Sequence, residues 1–405
     1  MRLLHTSDWH LGRTFHGVEL IDAQREFVAH LVEVVRAEDV DAVLVSGDVY
    51  DRAIPSLEAV EILEQGLAEL SRHARVIVSS GNHDSARRLG FAADLLESAN
   101  VHLRTRLADI TRPVVLDDGT TRVHVYAIPF LEPYTTASHL GIDEAGHARR
   151  THEAVLAAAV QRIAEHRSQA GAGKAVLMSH AWFNGGEASE SEIDISMGGI
   201  GKASTGLLQS FDYAALGHLH KPQAIEEHQR YSGSPLHYSF SEMGTAKQTF
   251  IVDLSGNNAR VTPIDVPVFR ELHELRDTMA ALMESPEYAK YEASFLRIHL
   301  EDLPVPEQAA NTLRRRFPHL VDLRVRWSDA GPGVTAEQLA TLSPLEICNL
   351  FLESDRGARA SDREQLQLEQ AIASGRRGLV DSATPDNVAC THDEPEHQET
   401  GEEAR

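Results

Sequence analysis

Five short polar blocks constrain this chain more than any other feature. They are DWH at 8–10, GDVYD at 47–51, GNHD at 81–84, a lone SH at 179–180 and GHLH at 217–220. Each follows an apolar run that reads as a buried strand, the clearest being RLLHTS at 2–7, DAVLVS at 41–46 and RVIVSS at 75–80. Open α/β sheets gather ligands at the carboxyl ends of their strands. Blocks scattered over half the chain can therefore converge on one site. Singly each is weak, because Gly-Asp is usually a turn and a strand-end histidine is usually structural. Five in order are not explained by turns.

The rest of the first 267 residues alternates helix-like and strand-like stretches. A helix is expected near 20–37, with Phe27, Leu31, Val34 and Val35 at helical spacing, and another over 56–71, with Val60, Leu63, Leu67 and Leu70 on one face. Further strands are expected at 122–128, 175–179, 212–216 and 247–254, and a long helix near 148–167. A second unit, 268–330, reads as a small βαβαβ module. After the break at Gly331, Pro332 and Gly333, residues 331–375 form a helical segment. Its start carries Ser343 as N-cap, Pro344 in the first turn and Glu346 completing a capping box. Residues 376–405 hold eight acidic residues against three arginines and lack apolar periodicity, which reads as a disordered tail.

A chain of 405 residues exceeds what one core usually supports. Its formal charge of -23 argues against a general polyanion binder, although the tail inflates the total. Two cysteines, Cys348 and Cys390, make no disulfide framework. With no membrane-length apolar run and no secretory leader before the first polar block, a cytoplasmic enzyme is expected.

The blocks supply metal-type donors: carboxylates of Asp8 and Asp48, the amide of Asn82, and imidazoles of His10, His180, His218 and His220. In an extended strand, residues two apart share a face. That would aim Asp8 with His10, and His218 with His220, at one ion each, while Asp48 could bridge two. A donor set rich in oxygen and nitrogen, without thiolate, suits two Mn ions, with Mg, Fe or Zn as alternatives. Two such ions about 3.5–4 Å apart are a general apparatus for cleaving phosphoesters. His83, beside Asn82 but unable to share its direction, is a candidate to protonate the leaving oxygen. Asp84 would either orient His83 or N-cap the helix that follows.

With these motifs the sequence resembles the calcineurin-like metallophosphoesterase superfamily, whose blocks run D-x-H, GD, GNH[DE], a lone His and GHxH. LLHTSDWHLG, VSGDVYD, GNHDS, YAIPF, DYAALGHLHKPQ and YSGSPLHYSF extend the resemblance to the SbcD-type nucleases of bacterial SbcCD complexes. The resemblance implies a two-sheet αββα sandwich with a small α/β capping domain. It assigns Asp8, His10, Asp48 and His220 to one ion, and Asp48, Asn82, His180 and His218 to the other. It further implies exonuclease action on duplex ends and endonuclease action on single strands and hairpins, in DNA repair, recombination and replication. The expected partners are an SbcC-like SMC-type ATPase and a second copy of the chain, as a homodimer within a heterotetramer.

One position departs from some relatives. Three residues after the bridging carboxylate they carry a histidine, where this chain has Asp51, so no catalytic imidazole is assigned there. Arg13, Arg52, Arg87, Arg88 and Lys221 are candidates for DNA-backbone contacts, with Lys202 and the run Arg314, Arg315 and Arg316 as more distant ones. Leu345, Leu350 and Phe351 are candidates for docking on the ATPase. Residues 183–201, rich in glycine, serine and acids, read as a loop over the site. The competing reading is a small-molecule phosphodiesterase or protein phosphatase using the same ions. The roughly 140 residues beyond the core count against it.

Overall fold

The computed structural model describes residues 1–142, 150–192, 201–325, 341–356 and 358–381. By internal contacts it divides into Met1–Arg324 and Val325–Arg405.

The larger unit is built on two six-stranded sheets. In the first, the strands run 260–265, 248–253, 2–6, 42–46, 75–79 and 101–104 across the sheet. Strands Arg2–Thr6, Ala42–Ser46, Arg75–Ser79 and Val101–Arg104 are mutually parallel, Gln248–Asp253 pairs antiparallel with Arg2–Thr6, and Arg260–Asp265 pairs antiparallel with Gln248–Asp253. In the second, the order is 223–226, 229–231, 213–217, 174–180, 122–128 and 114–117. Strands Arg122–Ile128, Lys174–His180 and Tyr213–Gly217 are parallel in its centre. Every residue of Ala42–Ser46 and of Tyr213–Gly217 is buried. That is why these runs show no alternation: both faces of a central parallel strand are covered.

Leu3, Leu44, Ile77, Val125, Val176, Met178 and Phe250 fill the layer between the sheets. The outer face of the first sheet is covered by helices Ile21–Ala37 and Leu57–Leu70, through Phe27, Leu31, Val35, Ile62 and Leu63. The second is covered by His152–Ala170, through Val155, Leu156, Ala159 and Ile163. The architecture is thus the expected αββα sandwich. The helix expected from 148 begins at His152, and residues 143–149 lie outside the described ones. Val60 does not face the core: it is exposed, and Ala59 and Ile62 take the buried face instead.

Strands 101–104, 114–117, 223–226, 229–231 and 260–265 add to those expected. They are short or carry charge on one face, so periodicity alone does not mark them. The small module follows the sequence closely, with strands Leu272–Asp277, Phe295–Leu300 and Leu320–Val325 and helices Met279–Glu284 and Ala309–Arg316. Leu272 and Phe295 pack with Phe15, Leu20, Leu236 and Phe240 of the sandwich.

The described part of the second unit is two helices, Pro344–Arg356 and Asp362–Asp381. Ser343 and Glu346 form the expected capping box: the Ser343 amide and hydroxyl donate to Glu346, and the Glu346 amide donates back to Ser343 Oγ at 3.3 Å. Ser361 donates to Glu364 in the same way ahead of the next helix. That helix continues to Asp381, past the boundary expected at 376, and residues 382–405 lie outside the described ones. No described helix is long and apolar enough to cross a membrane.

Candidate metal centre

Four of the seven donors sit in backbone conformations that the sequence does not announce. Asp8, His10, Asp48 and His218 have φ of 54°, 45°, 49° and 104°. They are therefore not on extended strands. The chain leaves strands Arg2–Thr6 and Tyr213–Gly217 before the motif, and left-handed turns aim the side chains. Such conformations cost about 1–3 kcal/mol each and persist where the surroundings over-determine them. Here the Asp8 amide donates to the Gly47 carbonyl at 3.0 Å and the His10 amide to the Asp48 carbonyl at 3.0 Å, so the first two motif loops hold each other.

Glycine makes this approach possible. Gly47 has φ of 84°, and a Cβ on Gly81 would fall on the backbone nitrogen and carboxylate of Asp48. Gly81→Ala is expected to displace Asp48 and abolish ion uptake, read by elemental analysis of the purified chain. Two ions per chain in this variant would contradict the packing argument.

The donors converge. His10 Nε2 faces His220 Nε2 at 3.1 Å and lies 3.6 Å from Asp48 Oδ2. Across Asp48, His180 Nε2 is 3.3 Å from the same Oδ2 and 3.0 Å from Asn82 Oδ1. His218 Nδ1 is 3.3 Å from that amide oxygen. Asp8, His10 and His220 form one compact group, and Asp8, Asp48 and His180 another. All these carboxylates and imidazoles are buried. His10 Nδ1, on the far side of the ring, lies 3.6 Å from Asp51 Oδ1. A buried, donor-poor cluster of oxygen and nitrogen lone pairs arranged about one central carboxylate fits two divalent cations.

Electrostatics point the same way. Burial, with Asp48 adding to it, pushes the Asp8 carboxyl up to about 6. Burial lowers the His10 imidazole to about 3, which keeps it a neutral ligand. Burial alone would lower His180 too, but the Asp48 carboxylate overrides it and raises His180 to about 9.

His83 stands at the edge of the group. Its amide donates to Asp48 Oδ1 at 2.9 Å, and its ring meets that of His10 edge-on at 4.7 Å. Nδ1 lies 2.8 Å from the Asp51 carbonyl, which can only accept, so Nδ1 carries the proton and Nε2 faces the site. His10, Asp48 and His83 also lie close enough to hold an ion together.

Asp84 does not orient His83, nor does it cap the next helix, where Ser85 is the N-cap. Its carboxylate accepts from the amides of Val49 at 3.1 Å, Tyr50 at 2.9 Å and Gly81 at 2.9 Å, tying the second motif loop to the third. Burial and then Asp48 raise its carboxyl to about 6.

Among the cationic candidates, Arg13 is part of the wall, stacked 4.7 Å over the Tyr238 ring and 3.8 Å from Asp51. Arg52 is 81% exposed, 3.6 Å from Asp51. Arg87 and Arg88 are exposed on the helix Ala86–Leu89 just past the third motif, and Lys221 is half-buried. Lys202 lies 4.5 Å over the Trp182 ring. Of the arginine run, Arg316 is internal: it binds Glu292, the Leu282 carbonyl and the Ser285 carbonyl, whereas Arg314 and Arg315 are exposed. In the second unit Leu345 and Leu350 are half-buried and Phe351 is exposed.

Sequence reasoning missed the residues behind the donors. The Ser7 hydroxyl donates to Asp8, Gln24 Nε2 donates to the His10 carbonyl at 2.9 Å, and Tyr238 Oη donates to the Trp9 carbonyl at 2.6 Å. Ser191, Glu192, Glu242 and Lys247 surround His220. Apart from Ser7 and Tyr238, which lie in the longer stretches LLHTSDWHLG and YSGSPLHYSF, none sits in a motif.

A family profile described as calcineurin-like phosphoesterase matches residues 1–222. Among solved structures the chain is similar to a protein of Thermus thermophilus, at 11% identity over 66% of this chain and 99% of that one, with a TM-score of 0.38. It is also similar to a dimetal phosphatase from Danio rerio, at 12% identity over 66% and 99%, TM-score 0.34. An archaeal phosphodiesterase gives 12% identity over 65% and 100%, TM-score 0.29.

Proposed function

Because this chain belongs to the calcineurin-like phosphoesterase family, and is therefore a metal-dependent hydrolase of phosphoesters, we propose that it is the DNA nuclease subunit of an SbcCD-type complex. The observation that carries this reading is the convergence of all five motif blocks on one buried cluster about Asp48, with His83 at its edge. Bound divalent cations, with Mn proposed, supply an activated water and charge neutralisation for in-line attack on phosphorus.

The chain's own residues do the rest. Asp8, His10, Asp48 and His220 would hold one ion, and Asp48, Asn82, His180 and His218 the other. His83 presents Nε2 to the substrate and would pass a proton from it to the departing oxygen, while the Asp51 carbonyl fixes the ring. Exposed Arg52 lies on the loop that carries Asp48, and exposed Arg87 and Arg88 on the short helix after Asn82, where a backbone phosphate would run.

Exposed apolar side chains fit this reading. Ile54, Leu57, Phe91 and Leu95 are highly exposed apolar side chains, an arrangement that suits a second copy of the chain. Ile347, Phe351 and Leu366 are exposed on the C-terminal helices and suit docking on an SMC-type ATPase. Phe351→Asp should leave hydrolysis of a generic diester unchanged and cut co-purification with the ATPase by about tenfold or more; unchanged co-purification would refute the docking assignment.

The test of function is cleavage of a hairpin-ended duplex with Mn or Mg, with and without the ATPase. The expected result is cutting at the hairpin and at duplex ends. Turnover of cyclic nucleotides or phosphopeptides, with DNA left intact, would replace this reading with the small-molecule or protein phosphoesterase.

A further inference from the structure

His220 is gripped at three points by side chains outside the motifs. Its amide donates to Glu192, a carboxylate that is 1% exposed and also accepts from the Ser189 amide and hydroxyl. Its carbonyl accepts from Lys247 Nζ at 2.9 Å. Its ring Nδ1 lies 2.9 Å from Ser191 Oγ, on the side opposite the Nε2 that faces His10.

The hydrogen count along this line is determinate. Lys247, 3% exposed, pairs with Glu242, 0% exposed, so Glu242 is held as a carboxylate that can only accept. Ser191 Oγ lies 3.0 Å from Glu242 Oε1 and 2.8 Å from Ser189 Oγ, whose own hydrogen goes to Glu192, so both neighbours accept and Ser191's single hydrogen goes to one of them. Ser191 Oγ is then left with lone pairs for His220 Nδ1, which must carry the ring proton. Nε2 is consequently the unprotonated nitrogen. A buried ion pair is weak evidence for stability, whereas groups that hydrogen-bond a ligating histidine's other ring nitrogen and so fix its tautomer are a recurrent feature of metal sites.

We infer that Ser191 and Glu242, backed by Lys247, are positioning residues that lock His220 in the tautomer whose Nε2 takes a metal ion. This rests on His220 being a ligand. It makes the stretch 189–192 and the stretch 242–247 part of one ion's site and leaves the other ion, held through Asn82, His180 and His218, to its own supports.

The experiment is Mn2+ titration of the full metal-free chain by calorimetry, comparing wild type with Ser191→Ala, Ser191→Thr and Glu242→Gln, with thermal melts in chelator as a fold control. Wild type is expected to take two ions. Ser191→Ala should weaken one step about 10- to 100-fold and leave the other within about threefold. Ser191→Thr, which keeps the hydroxyl, should restore it, and Glu242→Gln should resemble Ser191→Ala if its melt is unchanged. Wild-type affinities in Ser191→Ala, equal weakening of both steps, or no rescue by threonine would overturn the relay. A wild-type chain that takes up no Mn2+ would overturn the reading of the centre itself.

Discussion

Asp48→Ala is expected to leave the chain folded but unable to hold its ions, and to lower phosphodiester cleavage by about 10^3-fold or more, since bridging charge stabilisation is worth several kcal/mol. Asp48 lies between His10 and His180, with one carboxylate oxygen 3.6 and 3.3 Å from their ring nitrogens. It also accepts from the His83 amide, so its loss frees the third motif loop. Stability in chelator should change little because opposing effects follow. Asp8 and Asp84, both held up near 6 by burial with Asp48 adding to it, lose a like charge. His180 loses the larger of the two carboxylate effects that raise its pKa, and that of Asp8 remains. What should vanish is the rise in melting temperature on adding Mn2+, because that rise is the ions' binding energy. Two ions per chain in the variant, or undiminished cleavage, would end the dinuclear account.

His83→Ala separates catalysis from ligation. The imidazole is tethered through Nδ1 to the Asp51 carbonyl and stands edge-on to His10, so its removal leaves all seven donors in place. The expected outcome is two retained ions with turnover of the proposed DNA substrate down about 10^2- to 10^4-fold, the usual range for a general acid. The loss should be much smaller for an activated nitrophenyl ester, whose leaving group needs no proton. Equal losses on both substrates would deny the acid role. Loss of an ion would instead make His83 a ligand, which its closeness to His10 and Asp48 also permits.

The donors were legible because each motif pairs a metal-type side chain with the end of a buried strand, and turns alone do not produce five such blocks in order. Their geometry was not. Alternation along a strand was the natural route to pairing Asp8 with His10, yet both residues lie past the strand in left-handed turns. Asp84 looked like a partner for His83 because the two are adjacent, but its oxygens are taken by the amides of Val49, Tyr50 and Gly81. Backbone amides carry no sequence signature. Arg316 read as one of three free cations, and only the fold shows it bound to two carbonyls and Glu292.

By itself the sequence determined the layered α/β core, the small module, the capping box at Ser343 and the donor inventory, because each follows from local periodicity or from residue type. The tertiary structure decided which donors stand together, which nitrogen of His83 carries a proton, and that Ser191, Glu242 and Lys247 stand behind His220. Those outcomes depend on hydrogen bonds between segments distant in the chain, such as Ser191 to His220 and His180 Nδ1 to the Ser46 carbonyl at 2.9 Å. Such bonds are fixed when two sheets pack face to face, and no stretch of sequence contains both partners.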